Sequence, residues 1–165
     1  MFNRYRLHQV IFLLLIWLGL ITSCSDGSGY KVYQEIGTSG WHIDSAAVFP
    51  LPIEQTTYPH KLGYIDRNTI DYPFSNLYVR YQLVSPEGDT LQQGIHESDL
   101  MDPKTGRPYG KGSGGIYEHD ITLLESFQFP DTGQYVVNLQ QYMRMDTLPS
   151  ILTVGLFSQP LVPEE

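Results

Sequence analysis

Strict alternation is the feature that most restricts what this chain can become. Between Leu77 and Val84, Leu77, Val79, Tyr81 and Leu83 fall on one side while Tyr78, Arg80 and Gln82 fall on the other. A period of two fits a strand with one buried face and cannot make a helical stripe. The same pattern returns in Gln134–Met143, with Tyr135, Val137, Leu139 and Gln141 on one face. It appears again in Ala47, Phe49, Leu51 and Ile53, where Pro50 and Pro52 point the other way and predict an edge strand. Tyr30, Val32 and a shifted Ile36 begin a first strand, and Leu62 and Tyr64 mark another before the polar Asp66-Arg67-Asn68. Ile151–Phe157 is almost continuously apolar, which predicts a central strand buried on both faces.

The punctuation agrees with the strands. Ser85-Pro86-Glu87-Gly88-Asp89 predicts a tight turn that folds Thr90–Ile95 back as a hairpin, and Asp131-Thr132-Gly133 and Met145-Asp146-Thr147 bracket a later strand. With 15 Gly, 11 Pro and 12 Tyr and no long amphipathic helix, roughly eight short strands imply an all-β, antiparallel β-sandwich of jelly-roll type over residues 30–160. Residues 161–165 form a short tail. One segment breaks the rhythm: Glu97–Tyr117 is crowded with Gly106, Pro108, Gly110, Gly112, Gly114 and Gly115, and reads as a long Gly-rich loop.

A different composition precedes the domain. Arg4 and Arg6 supply positive charge, no acid occurs before Asp26, and Val10–Ile21 is apolar. That run is shorter than the ~18 residues of a spanning helix and suits a signal peptide over residues 1–23. It closes in Leu20-Ile21-Thr22-Ser23-Cys24, which resembles a lipobox. Small residues before the cut let the extended chain enter a narrow protease site, and the thiol of Cys24 takes the lipid as a thioether. Cys24 is the single cysteine, so the body has neither a disulfide nor thiol chemistry of its own. Acyl chains on Cys24 would hold the protein on a membrane through a short polar tether, residues 24–29. Ser25 after the cysteine favours the outer membrane, and the single acid at Asp26 favours its periplasmic face over the cell surface.

Chemistry is sparse in the body. The formal charge of −8 becomes more negative once Arg4 and Arg6 leave with the leader, and no basic cluster offsets it, which excludes a nucleic-acid partner. Gly106-Arg107-Pro108-Tyr109-Gly110-Lys111 has the wrong glycine spacing for a phosphate loop, and Gly112 stands where a hydroxyl would bind magnesium. His42, His60, His96 and His119 make no metal-binding pair, and Glu97, Asp99 and Asp102 lack calcium-loop spacing. No nucleophile elbow is present. No catalytic residue, metal or cofactor is therefore assigned, and a hydrolase is the least favoured reading.

Two aromatic loops stiffened by proline, Tyr72-Pro73-Phe74 and Arg107-Pro108-Tyr109, are candidate partner contacts through Tyr72, Phe74, Arg107 and Tyr109. The rival use is a glycan-binding or adhesin-type platform, which an exposed Trp41 would favour and a buried one would weaken. Asp44-Ser45-Ala46, Asp89-Thr90-Leu91 and Asp146-Thr147-Leu148 resemble Bacteroidetes O-glycosylation sequons, making Ser45, Thr90 and Thr147 candidate modification sites.

Three stretches taken together carry a family resemblance: Tyr72–Val79, Gly110–Tyr117, and Gln140–Arg144 leading on to Leu148 and Val154-Gly155-Leu156. With the lipobox in front, the chain resembles the gliding-motility lipoprotein GldH family of Bacteroidetes over nearly all of its mature length. The resemblance implies a cell-envelope lipoprotein associated with gliding and the type IX secretion machinery, without enzymatic activity, whose partners are other envelope proteins. It departs from the family at Arg107-Pro108-Tyr109, where a Trp or aliphatic residue is usual. Cys24 is the one functional residue it transfers.

Intact-mass measurement tests the leader. The mature protein is expected to begin at Cys24 with acyl adducts, whereas Cys24→Ala is expected to persist as the uncleaved, unlabelled precursor. A mass showing lipid adducts alone would remove the glycans from Ser45, Thr90 and Thr147.

Overall fold

The computed structural model describes residues 29–163. The signal peptide, Cys24 and nearly all of the tether lie outside the described residues.

The described chain is all β and antiparallel. One sheet runs β1 (Tyr30–Glu35), β11 (Ile151–Pro160), β4 (His60–Thr69), β8 (Ile116–Phe127), β7 (Lys111–Ser113). The facing sheet runs β3 (Ala47–Ile53), β9 (Gly133–Gln141), β5 (Asn76–Val84), β6 (Thr90–Asp99), and β2 (Trp41–His42) pairs with β10 (Thr147–Leu148) at one end. Nearly every connection between the long strands changes sheet. The β5–β6 hairpin is an exception, and the last strand inserts between the first and the fourth, which is jelly-roll topology.

Alternation sets the interior. β3 buries Ala47, Phe49, Leu51 and Ile53, β9 buries Tyr135, Val137, Leu139 and Gln141, and β5 buries Leu77, Val79 and Leu83. Pro50 and Pro52 lie on the edge strand of their sheet, as the pattern predicts. The carbonyl of Pro50 faces away from β9 and accepts the Tyr30 hydroxyl at 2.8 Å. A strand residue aims its N–H and C=O to the same side, so the missing proline N–H costs no ladder bond here.

β11 is central and buried on both faces. Its outer face is covered by aromatic rings laid across glycines. Phe157 pairs in register with Gly63, and Tyr33 with Gly155. A Cβ on Gly63 would run into the Phe157 ring and the Ile121 carbonyl. The small residue on one strand thus makes room for the large one on its neighbour.

Two expectations are corrected, and one strand escaped the sequence reading. The polar Asp66-Arg67-Asn68 does not end a strand: β4 continues to Thr69, with Asp66 and Asn68 fully buried on its inner side. Ile116–Phe127 is the longest strand described, although its mixed polarity hides the alternation. Glu97–Tyr117 is not one open loop, because its backbone groups find partners. β6 runs on to Asp99, Met101 and Pro108 form a bridge, and Asp102 caps the turn between them by accepting the Lys104 and Thr105 amides at 2.8 and 2.9 Å. β7 and β8 then form a hairpin around Gly114 and Gly115, whose φ values of +65° and +83° fit the two-residue turn that β-hairpins favour.

Gly63→Ala is expected to lower the denaturant midpoint with an unchanged slope, a loss of about 1–3 kcal/mol from forcing a methyl group into a filled site.

Candidate functional site

An open groove of about 930 Å³ lies on the outer face of the four-stranded sheet. Ile43, Phe74, Tyr78, Ile95, Tyr142, Met143 and Arg144 line it. These residues come from four separate stretches of chain, and buried amides hold them in place. Gln141 is fully buried. Its side-chain carbonyl accepts the Met143 amide at 2.8 Å and its amide donates to the Met145 carbonyl at 3.0 Å. That clamp turns the chain directly after β9, with Met143 inward and Tyr142 and Arg144 outward. The Tyr142 amide then donates to the Tyr78 carbonyl at 2.8 Å, adding a rung to the β5–β9 ladder. Gln140 donates to the Ile43 carbonyl and fixes the far wall.

The floor is apolar and the rim is charged. Ile95 is 50% and Tyr142 43% exposed, an unusual pairing of large apolar groups on one surface. The Arg80 guanidinium lies 4.5 Å from the centre of the Tyr142 ring. Among the described residues, neither Arg80 nor Arg144 has a carboxylate within ion-pair distance. The nearby Glu97 is engaged by the Tyr78 hydroxyl and the Asn76 amide, which hold its carboxyl below the usual range. The groove therefore offers apolar contact beside uncompensated positive charge.

The predicted site residues are distributed unevenly. Phe74 is half-buried and lines the groove. Tyr72 is not an exposed anchor: it is buried, donates to the Asn76 carbonyl at 2.9 Å and packs edge-on against Phe74. Arg107 closes the Asp102-capped turn and Tyr109 lies beyond the Met101–Pro108 bridge; both are exposed and outside the groove. Backbone bonds do stitch the two aromatic loops together, since the Ser75 carbonyl accepts Leu100 and the Leu100 carbonyl accepts Tyr109. Ser45 and Thr90 are exposed, and Thr147 is half-buried in β10. Trp41 is buried and donates to the Ser45 carbonyl at 2.8 Å, so it forms no stacking platform. Ile43, Tyr78, Ile95, Tyr142, Met143 and Arg144 escaped the sequence reading. The detectable signal was Tyr78 and Arg80 on the solvent side of the clearest strand.

A second polar group lies between the sheets. Tyr64 and Ser98 share a hydrogen bond of 2.9 Å. Both carboxyl oxygens of Asp66, Oδ1 of Asn68, Nδ1 of His96 and Nε2 of His119 are buried without a partner among the described residues. Asp66 and His119 face each other in the β4–β8 register, and the backbone of Gly110 packs on the His119 ring. Burial pushes the Asp66 carboxyl up to about 8 and holds His96 and His119 below the usual imidazole value. The cluster is therefore uncharged near neutrality. Among the described residues no three His, Cys, Asp or Glu side chains gather as metal ligands would.

Comparison with known proteins adds four findings. The family model of the GldH lipoprotein matches residues 28–157. The gliding motility lipoprotein GldH homolog of Christiangramia forsetii is 31% identical over 134 residues, covering 81% of this chain and 80% of its own. The gliding motility lipoprotein GldH of Flavobacterium johnsoniae is 30% identical over 150 residues, covering 87% and 91%. Among solved structures, dimeric latent PorU from Porphyromonas gingivalis superposes on 80% of this chain with 13% of its own, at 5% identity and a TM-score of 0.36, a likeness too loose to argue from.

The buried carboxyl makes a signed prediction. Unfolded Asp66 ionises near pH 4, whereas the folded protein keeps that proton until about pH 8. Its contribution to stability is thus lost as pH rises through that window. The buried imidazoles act oppositely, losing stability as pH falls below their ordinary value. Asp66→Asn is expected to melt close to the parent at pH 4 and at least about 3 °C higher at pH 8, read by thermal unfolding across pH.

Proposed function

Since the chain belongs to the GldH lipoprotein family, we propose that it is a lipid-anchored, non-catalytic part of the gliding-motility and type IX secretion machinery, docking other envelope proteins through its sandwich. In this reading residues 1–23 are removed, Cys24 carries the anchor in the outer membrane, and residues 24–29 tether the domain of residues 30–160 on the periplasmic face.

One observation carries the docking role. Two of the three stretches through which the chain resembles its family, Tyr72–Val79 and Gln140–Arg144, are far apart in sequence yet supply most of the groove lining. Core packing does not require Tyr142 or Arg144, which point away from the interior. An exposed apolar surface with an arginine at its rim has the composition of a protein-binding hot spot. The anchor adds to this, because confinement near a membrane raises the effective concentration of partners held there. The glycan-binding alternative is weakened by the burial of Trp41 and Tyr72, two of the rings a stacking platform would use.

Deletion in the native host is expected to abolish spreading, or release of type IX cargo where the host does not glide. The wild-type gene should restore it, whereas Cys24→Ala and Tyr142→Asp should not. Tyr142→Asp should accumulate to the normal level, since its ring is not in the core. Full rescue by Tyr142→Asp would remove the groove from the mechanism.

A further inference from the structure

The four-stranded sheet treats its two edges differently. On β3 the outward backbone positions include Pro50 and Pro52, which have no N–H to offer an incoming strand. β6 at the opposite edge has ten residues, Thr90–Asp99, without a proline, lysine or arginine. The backbone groups it leaves open follow from the pairing. The Tyr78 carbonyl accepts Tyr142, and its amide meets the Met143 sulfur, so Tyr78 faces β9. Leu77, Val79 and Tyr81 therefore face β6, where their register partners are Ser98, His96 and Gly94. The intervening residues Gln93, Ile95 and Glu97 direct N–H and C=O away from the sheet. Their side chains lie on the outer face, and Ile95 is part of the groove floor.

From this juxtaposition of an unprotected strand edge with an apolar, arginine-rimmed groove, we infer that β6 receives an extended strand of a partner protein, pairing with Gln93, Ile95 and Glu97 and laying alternate apolar side chains into the groove. The inference rests on the docking role proposed above and specifies its chemistry. Backbone pairing supplies sequence-tolerant hydrogen bonds, while the groove reads every second side chain. Arg144 and Arg80, without carboxylate partners among the described residues, favour an acidic residue on the incoming strand. A second copy of this chain is the less suitable occupant, because each copy carries a net negative charge, −8 for the full sequence and more negative without Arg4 and Arg6.

The test uses the lipidated full chain in its host, with a photo-crosslinking amino acid replacing Gln93, Glu97 or, as the far-edge control, Val48. Strand pairing is expected to link positions 93 and 97 to one segment of one partner protein, at sites ~4 residues apart, as a strand register requires. Position 48 should give no such adduct. Ile95→Pro, which removes an outward N–H as Pro50 does on β3, should cut the yield at least tenfold. Ile95→Lys, which leaves the backbone intact, guards against misfolding and should do the same. No adduct, attachment to scattered segments, attachment to β6 of a second copy, or yields unmoved by both Ile95 variants would overturn the inference. If the strand test fails while Tyr142→Asp still abolishes function, docking through the groove survives without strand addition.

Discussion

The position of β11 between β1 and β4 is the constraint on which the rest of the structure depends. Until the last strand arrives, the five-stranded sheet lacks its centre, and Val32, Tyr64 and Leu156 have no common layer to fill. Because its partners lie far back in the sequence, loop-closure entropy must be met before those contacts form. The compensation is burial on both faces. Val154 and Leu156 enter the core, while Phe157 and Gly155 interlock outside with Gly63 and Tyr33. Two glycines that would weaken a strand on propensity alone are what allow the sheet to be covered without a third layer.

Closing the sandwich on one side leaves it open on the other. Tyr30 bonds across to Pro50, joining the edge strands of the two sheets, and proline finishes that margin. At the other margin β6 ends the sheet with its outward groups unoccupied. The groove lies beside that open edge, so an exposed apolar surface adjoins backbone groups left without a ladder partner. Natural sheets usually blunt such an edge. On the docking role proposed above, an edge left open has a use as the seat of an incoming strand.

The interior carries a corresponding compromise. Asp66, Asn68, His96 and His119 occupy inner positions that apolar residues could fill. Burial is tolerable because the cluster is uncharged near neutrality, with the proton retained on the carboxyl and absent from the second imidazole nitrogen. The share of that cost borne by Asp66 and the imidazoles varies with pH, whereas the unpartnered Asn68 oxygen costs the same at every pH.

The sequence by itself determined the all-β class, the β5–β6 hairpin, the inward faces of β3, β5 and β9, and the edge position of β3. Each rests on local chemistry, namely a side-chain period of two, turn residues and the missing proline N–H. It also carried the family resemblance. Only the tertiary structure decided the rest. β4 and β8 hold polar residues inward because they face one another, which no local pattern reveals. Tyr72 and Tyr109 look alike in sequence, yet one hydroxyl finds a carbonyl inside and the other ring is left in solvent. The groove joins four separated stretches, and Gln141, alternating like any core residue, proves to be the clamp that turns Tyr142 outward. Alternation tells which side of a strand a residue occupies, but what stands opposite depends on strand order, and strand order is settled by contacts between distant parts of the chain.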